Sequence, residues 1–390
     1  MVSAARAIPV ARPIRLGMVG GGQGAFIGAV HRIAARLDGE FQLVAGAFSS
    51  DAERSVASGA EIGIDPARAY ATFQAMAEAE AERDDGIEAV AIVTPNHLHF
   101  SPAKMFLEAG IHVICEKPLT AKLEDAMELQ RIAAASGRVF VLTHNYTGYP
   151  MIRQARDMID AGDLGPLRVV QAEYAQDWLT EAAETAGSKQ AEWRVDPDKA
   201  GMGGALGDIG SHAFNLLTFV TGLALDSVAA DLCAFVPGRR LDDNDHLMLR
   251  FKGGAKGMLW ASQVAPGHEN GLRLRVYGEK GGLEWAQENP NQLWFTPFGE
   301  PKRLITRGGS TAVPAAQRVT RVPAGHPEGY LEGFATIYRE AAAAIRAVAD
   351  GRPIPPEVMF PTVEDGVDAM RFIDAAVRSS SDDSRWTKLR

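Results

Sequence analysis

The sequence predicts an α/β domain built on a parallel sheet, followed by an α+β domain with a large, mostly antiparallel open sheet. Three observations support this fold class. Apolar runs and helical segments alternate through the first third of the chain, which is typical of parallel strands joined by helices. A glycine-rich turn follows the first apolar run. Beyond Pro150 the apolar residues alternate with period two between glycine turns, which indicates antiparallel strands.

These patterns place individual elements. In the first domain they predict strands at 14–19, 41–48, 89–93, 111–116 and 139–142, and helices at 25–36, 101–109 and 123–135. In the second they predict strands at 167–178, 225–236, 246–251, 257–263, 273–277 and 282–285. Helices are predicted at 151–161 and 209–220, and an alanine-rich helix at 329–349 is expected to close the second domain. We therefore expect a flexible tail at 1–13, domains at 14–148 and 149–378, and a loosely held polar tail at 379–390.

Length, charge and cysteine content bound the function. A chain of 390 residues is expected to form roughly two or three domains. The net charge of −9 argues against nucleic acid or an anionic membrane as a partner. The two cysteines, Cys115 and Cys233, have no metal-ligand spacing, so no disulfide framework is expected and a reducing cytoplasm fits. No apolar run reaches the ~20 residues of a membrane helix.

The glycine-rich turn reads Gly20-Gly21-Gly22-Gln23-Gly24-Ala25-Phe26-Ile27-Gly28 and lies between a predicted strand and a predicted helix. In this context glycines let the backbone approach a pyrophosphate, and the helix N-terminus supplies unpaired N–H groups. Two registers fit, Gly20-x-Gly22-x-x-Ala25 or a longer loop that ends at Gly28. The alternative is a glycine-rich turn without a ligand. The turn favours a dinucleotide-binding Rossmann domain at 14–148.

The choice between NAD and NADP stays open. NAD sites usually place an acid at the end of the second strand, to bind the ribose 2′-hydroxyl. Here Ser49 and Ser50 come first, and either could bind a 2′-phosphate together with Arg54. Asp51 could instead reach the 2′-hydroxyl, and Arg54 could be a solvated helix charge.

Two further segments carry chemistry. A buried-strand pattern ends in Glu116-Lys117-Pro118, where ligands of parallel sheets bind, although charged residues also end strands for structural reasons. In the second domain Asp208 and His212 are four apart and would share a helix face. Such a pair can act as an acid or base, or can be a helix cap beside a buried histidine. We find no further ligands for a metal and predict none.

Together the glycine turn, Glu116-Lys117-Pro118 and Asp208-Ile209-Gly210-Ser211-His212 resemble the Gfo/Idh/MocA family of NAD(P)-dependent oxidoreductases over roughly residues 14 to 375, most closely its rhizopine-catabolism MocA branch. Thr94-Pro95-Asn96-His97-Leu98-His99 resembles the family's loop beside the nicotinamide. Two segments depart from the family pattern. The glycine loop is long if it ends at Gly28, and His144-Asn145-Tyr146-Thr147 stands where many relatives carry an Asn-Arg-Arg type run.

The resemblance implies roles for individual residues. Lys117 would polarise the reacting carbon–oxygen bond, His212 would exchange the proton, and Asp208 would hold the substrate or tune its neighbours. Glu116 and Asn96 would position the nicotinamide and ribose. The expected cofactor contacts are Gly20, Gly22, Gln23, Gly24, Ala25, Phe26, Ser49, Ser50, Arg54, Thr94, Pro95, Asn96, His99, Glu116, Lys117 and Asn145.

The expected substrate is a sugar or cyclic polyol of the inositol or pyranose kind. Its predicted contacts are Lys117, Asn145, Trp178, Trp193, Asp208, His212 and His326, with Tyr174 as a further aromatic that could also be simple sheet packing. Two alternatives remain: an oxidoreductase that recycles a tightly held cofactor between two sugars, and a dinucleotide-sensing regulator without turnover. Relatives commonly pair through the second domain's sheet, so the resemblance implies a homodimer or homotetramer.

Overall fold

The first domain contains a five-stranded, all-parallel sheet in the order β2-β1-β3-β4-β5. A computed structural model describes residues 12–390, so the predicted tail at 1–13 lies almost wholly outside the described residues. The strands are Ile14–Gly20 (β1), Phe41–Ala47 (β2), Ala89–Val93 (β3), His112–Cys115 (β4) and Phe140–Leu142 (β5). All five residues of β3 are buried, as expected for a central strand covered on both faces. The predicted parallel sheet is confirmed.

Five α-helices connect these strands along the chain: Phe26–Leu37 (α1), Ala52–Glu61 (α2), Phe73–Ala81 (α3), Phe100–Glu108 (α4) and Leu123–Ser136 (α5). The sequence reading missed α2 and α3, which have ten and nine residues. Each begins at a side-chain cap, because Asp51 accepts a hydrogen bond from the Arg54 N–H and Thr72 accepts one from the Ala75 N–H.

The second sheet has nine strands in the order β13-β12-β11-β10-β6-β9-β8-β7-β14. They are Leu167–Ala175 (β6), Leu225–Cys233 (β7), Asn244–Phe251 (β8), Lys256–Ser262 (β9), Gly271–Gly278 (β10), Gly281–Ala286 (β11), Gln292–Pro297 (β12), Arg303–Thr306 (β13) and Thr387–Lys388 (β14). Every neighbouring pair is antiparallel except β6 and β9. The large, mostly antiparallel sheet is confirmed, and β12, β13 and β14 were not predicted.

The remaining helices are Pro150–Asp160 (α6), Lys189–Arg194 (α7), Pro197–Ala200 (α8), Ser211–Thr221 (α9), Pro314–Arg318 (α10), Tyr330–Ala349 (α11) and Val363–Ser381 (α12). A π-helical turn, Leu206–Gly210, runs directly into α9. The helix predicted at 209–220 therefore exists, but its first turn is wound more widely than an α-helix. No helix between residues 12 and 390 combines the length and apolar character that a membrane crossing needs.

Helix α11 was expected to close the second domain, and this expectation is wrong. Its buried residues Phe334, Ile337 and Ala341 belong to one apolar cluster with Val30 of α1 and Ala91 of β3. The alanine-rich face lets α11 lie close to α1, so the helix covers the parallel sheet of the first domain instead.

The expected loosely held tail at 379–390 is also wrong. Helix α12 continues to Ser381, and β14 pairs with β7 at the edge of the large sheet. The Ser379 hydroxyl is fully buried; it accepts a hydrogen bond from the Ala230 N–H at 2.9 Å and donates one to the Arg385 carbonyl at 2.7 Å. The polar composition of this segment suggested a tail. The Ser379 side chain instead satisfies backbone groups of the sheet and of the final turn.

Candidate active site

Lys117 lies one residue beyond the buried Glu116, where β4 ends. Its ammonium donates to the Asp208 side chain (Oδ1) and to the Asp208 carbonyl, both at 2.9 Å. Both side chains are largely buried. The contact joins the carboxyl end of a strand in the first domain to the π-helical turn of the second. The structure therefore brings together two of the predicted catalytic residues, which are 91 positions apart.

The second carboxylate oxygen of Asp208, Oδ2, accepts hydrogen bonds from Arg194 Nε at 3.1 Å and from Gln263 Nε2 at 2.9 Å. Burial alone would raise the pKa of Asp208. The charges of Arg194 and Lys117 outweigh this effect and hold the pKa well below its usual value. Asp208 is therefore an ionised carboxylate with three side-chain donors. The sequence reading missed Arg194 and Gln263, which come from α7 and the end of β9.

Asp242 fixes the glycine-rich segment that leads to Asp208. Its carboxylate accepts hydrogen bonds from the Gly204 and Leu206 N–H groups, both at 2.8 Å. A Cβ on Gly204 would lie 2.1 Å from the Asp242 carbonyl oxygen, so only glycine allows this close approach. Gly204 in the glycine run before Asp208 thus has a packing cause.

His212 is buried and faces other aromatic rings instead of Asp208. Its Nδ1 lies 3.3 Å from Nδ1 of His144, and its ring is 4.9 Å from that of Tyr146 in an edge-to-face contact. Burial lowers the pKa of His212 well below its usual value, and the charge of Lys117 lowers it further. A neutral imidazole beside a fixed ammonium can accept a proton from a substrate hydroxyl.

Glu116 takes part in a different network from that of its neighbour Lys117. Its Oε1 lies 2.9 Å from His31 Nε2 and accepts a hydrogen bond from the Thr143 hydroxyl. The other nitrogen of His31 lies 2.7 Å from the Tyr338 hydroxyl. The sequence reading missed His31, Thr143 and Tyr338, because no motif connects them. The carboxylate anchors the strand end to α1, β5 and α11.

The Thr94–His99 loop is tied down by the protein itself. Asn96 Nδ2 donates to the Ala200 carbonyl at 2.8 Å, which attaches the loop to the second domain. His99 is fully buried, and its two ring nitrogens lie 2.8 Å from the Pro118 carbonyl and 2.9 Å from that of Thr94. This geometry supports a positioning role for His99. Thr94 and Pro95 lie beyond β3, the central strand, at the same sheet edge as Lys117.

The glycine turn has the geometry that a pyrophosphate needs. Gly20 and Gly21 have left-handed φ angles of 80° and 72°. A Cβ on Gly28 would lie 2.4 Å from Gly21 Cα, so Gly28 lets α1 pack directly on the turn. This contact favours the longer of the two registers. Helix α1 begins at Phe26 without a side-chain cap or an acid in its first turn, so its amide donors remain for an anion.

The remaining predicted cofactor residues lie around this turn and β2. The Gln23 N–H donates to the Ser58 hydroxyl, and Gly22 packs against the Phe48 carbonyl. Ser49 accepts a hydrogen bond from the Asp51 N–H, whereas Ser50 and Arg54 are exposed. Asp51 caps α2, so one of its carboxylate oxygens already has a partner. Gly24 and Ala25 complete the loop before α1.

The predicted substrate aromatics reach the site through Arg194. Its guanidinium lies 4.1 Å from the Trp193 ring centre and 5.9 Å from that of Trp178. Tyr174 bonds to the Tyr146 hydroxyl at 2.6 Å and to Asn270 Oδ1 at 2.8 Å. Tyr174 therefore belongs to the polar wall beside His212, in addition to packing in the sheet.

Asn145 and His326 differ in placement. Asn145 is buried directly after β5. Its side-chain nitrogen, Nδ2, has no hydrogen-bond partner among residues 12–390, so this donor remains for a ligand. His326 is exposed; its backbone carbonyl accepts a hydrogen bond from Arg307, and its backbone N–H donates to the Pro323 carbonyl at 3.3 Å. The neighbouring Pro327 lines a separate cavity of about 490 Å³ with Tyr149 and Tyr330.

None of the described residues form a group of three or more possible metal ligands.

Residues 14–146 match the profile "Oxidoreductase family, NAD-binding Rossmann fold", and residues 152–284 match "GFO/IDH/MocA C-terminal domain". A crystal structure of an oxidoreductase from Sinorhizobium meliloti is 59% identical, with 97% of this chain and 100% of that chain covered and a TM-score of 0.88. The chain belongs to the Gfo/Idh/MocA family. Its first domain is an NAD-binding Rossmann domain, and the narrower MocA branch stays a prediction.

Two further relatives have informative names. An inositol dehydrogenase homolog from Azotobacter vinelandii, solved with NADH and myo-inositol, is 37% identical, with 97% of this chain and 98% of that chain covered and a TM-score of 0.90. The levoglucosan dehydrogenase of Pseudarthrobacter phenanthrenivorans is 27% identical over 96% of this chain and 98% of its own. With the family match, these named dehydrogenases show that the chain is an NAD(P)-dependent oxidoreductase.

We expect Gly28→Ala to weaken NADH binding at least about tenfold, a loss of ~1.4 kcal/mol. The added methyl group would overlap Gly21 Cα and displace the start of α1 from the turn. Titration of protein fluorescence with NADH measures the Kd. The matched control is Ile33→Ala, at an exposed position of the same helix. Unchanged NADH affinity in a folded Gly28→Ala variant would contradict the role given to this glycine.

Proposed function

We propose that this protein transfers hydride between NAD(P) and a ring carbon of a neutral sugar or cyclic polyol, of the inositol or pyranose kind. The observation that carries the proposal is the contact of Lys117 with Asp208 beside the buried His212. The two relatives named for inositol and for levoglucosan support the substrate class.

The residues divide the work of alcohol oxidation. A bound nicotinamide would supply the hydride acceptor for the carbinol carbon in oxidation. Lys117 donates a hydrogen bond to the carbinol oxygen and stabilises the negative charge that develops there. His212 accepts the hydroxyl proton, so the products are a ketone and a protonated His212. Asp208, held by Arg194 and Gln263, keeps Lys117 in place. The reverse steps reduce the ketone.

The walls of the site fit a hydroxylated ring. Tyr146, Tyr174 and Asn270 form one hydrogen-bonded group beside His212, and each can exchange donors and acceptors with hydroxyls. Trp178, which is 38% exposed, and Trp193 offer aromatic faces to the C–H side of a ring. A site built in this way rejects analogues that lack a hydroxyl, because each missing hydroxyl leaves a buried polar group unpaired.

The test is kcat/KM with NAD and NADP for inositols, pyranoses, their keto forms and matched deoxy analogues. We expect turnover of at least one ring polyol or its ketone, and at least ~10-fold lower kcat/KM for its deoxy analogue. Activity confined to acyclic acids or simple alcohols would overturn the proposal. A reduced-nicotinamide absorbance band in the protein as purified would indicate the recycling enzyme instead.

Lys117→Met should lower kcat at least ~10²-fold with that substrate, the scale of a lost electrostatic or acid–base group. NADH affinity should change little, because Arg194 and Gln263 still hold Asp208. Lys104→Met is the matched control, since Lys104 lies on the surface and pairs with Glu128. Near-normal turnover by Lys117→Met would refute the assignment of Lys117.

For the choice of cofactor, we expect Arg54→Ala to weaken NADP binding more than NAD binding, because only NADP has a 2′-phosphate to pair with. Arg54 is exposed in the first turn of α2, beside Ser50. Isothermal titration with each cofactor gives the two Kd values, and Glu53→Ala is the control at the neighbouring exposed position. Equal changes for both cofactors would show that Arg54 is a surface charge.

We further propose a homodimer or homotetramer that forms through the open face of the nine-stranded sheet. Met248 and Met258 are paired across β8 and β9 there and are 54% and 56% exposed. Met258→Glu should shift the mass measured by light scattering toward the 41.8 kDa monomer. The control Met127→Glu, at an exposed position of α5, should leave the measured mass unchanged. A wild-type monomer, or an unchanged Met258→Glu oligomer, would disprove this interface.

A further inference from the structure

His144 contacts the Nδ1 atom of the His212 ring. It follows β5 and is only 1% exposed. The two Nδ1 atoms are 3.3 Å apart, and the rings are perpendicular, with an angle of 84° between their planes and 5.1 Å between their centres. Each Nδ1 has the other as its hydrogen-bond partner among the described residues. At this distance one Nδ1 can donate to the other, so the pair holds one proton between these two atoms.

The sequence spacing suggested Asp208 as the orienting partner of His212, and the structure removes that option. Both carboxylate oxygens of Asp208 are taken by Lys117, Arg194 and Gln263. His212 therefore needs another group to fix which ring nitrogen carries the proton.

The shared proton allows two arrangements with different chemistry. If His144 donates, His212 carries its proton on Nε2 and has no lone pair there for a substrate proton. If His212 donates through Nδ1, its Nε2 is a free base. Burial and the charge of Lys117 lower the pKa of His144 to about 3, so His144 is neutral, and its Nδ1 is an acceptor in the tautomer that carries the proton on Nε2.

We propose that His144 is a positioning residue that accepts the Nδ1–H of His212, and so directs the Nε2 lone pair of His212 to the substrate. The inference rests on the proposed role of His212 as proton acceptor. When the substrate hydroxyl gives its proton to Nε2, His212 becomes an imidazolium and the bond to His144 becomes charge-assisted. Such bonds are stronger than neutral ones, so His144 stabilises the protonated product of this step more than its reactant.

His144 acts through His212 alone. Its Nε2 is buried and has no hydrogen-bond partner in the described part of the chain, which leaves the proton no onward route. This arrangement leaves one buried N–H of His144 unpaired. Around the pair, Lys117 supplies positive charge and Asp208 and Glu116 supply negative charge. Tyr146 and Tyr174 are neutral, because burial raises the pKa of each hydroxyl.

Two substitutions separate the hydrogen bond from the packing. His144→Phe keeps a ring against His212 but removes the acceptor. His144→Asn loses the ring but can place its Oδ1 near the position of Nδ1. We expect His144→Phe to lower kcat for oxidation at least ~10-fold, with KM and NADH affinity within ~3-fold of wild type. His144→Asn should retain kcat within ~3-fold. Oxidation should slow at low pH as His212 becomes protonated, and this acid limb should move to lower pH in His144→Phe, because the imidazolium loses an acceptor.

The rates are measured with myo-inositol. If another alcohol among the inositols and pyranoses tested above has a higher kcat/KM, that alcohol is used instead. The second measurement needs no substrate: nitrogen-15 shifts of the His212 ring in the wild-type holoprotein, assigned by comparison with His212→Asn, should show the proton on Nδ1. A proton on Nε2 would overturn the proposal, as would equal losses in folded His144→Phe and His144→Asn or wild-type kcat in His144→Phe. If no panel compound turns over, the proposed function fails, while the ring shifts still decide the role of His144.

Discussion

The pairing of Lys117 with Asp208 is the interaction on which the rest of the site depends, because it joins the end of a Rossmann strand to the start of a helix in the other domain. Taking an ion pair out of water costs solvation energy, which the attraction offsets only when the remaining polar atoms also find partners. Arg194 and Gln263 satisfy the second carboxylate oxygen. The lysine charge is therefore fixed in space, whereas an ammonium on a free surface chain moves with its stem.

Glu116 and Lys117 are adjacent in sequence yet serve opposite purposes. Lys117 reaches to Asp208 of the second domain, whereas Glu116 turns back into the first domain, to His31 and Thr143. Through His31 this network reaches Tyr338 of α11, a helix more than two hundred residues later in the chain. The alanine-rich face of α11 lets it lie under the parallel sheet, so the last third of the chain helps to hold the residue beside the proposed catalytic lysine.

The pattern of apolar residues predicted those strands and helices whose burial it directly reflects. The fully apolar run of β3 indicates a strand covered on both faces, and the parallel sheet follows from it. The periodicity of α11 shows that one face is buried but not which domain covers it. The predicted pairing of Asp208 with His212 does not form, because tertiary contacts give the carboxylate to Lys117, Arg194 and Gln263. Arg194 was not predicted, because a tertiary contact brings it to Asp208 and no sequence motif connects the two residues.

The charges around Lys117 and Asp208 bear on the proposed substrate. Lys117 and Arg194 are cations, Asp208 and Glu116 have pKa values held below their usual range, and so the four charges cancel. His144 and His212 add none in their neutral forms, because burial lowers both pKa values. A site without excess charge gains little from a charged ligand, which would lose its hydration on entry. A neutral polyol exchanges water for hydroxyl hydrogen bonds, and charge then develops only during the reaction, between the ammonium and the imidazole that are already in place to receive it.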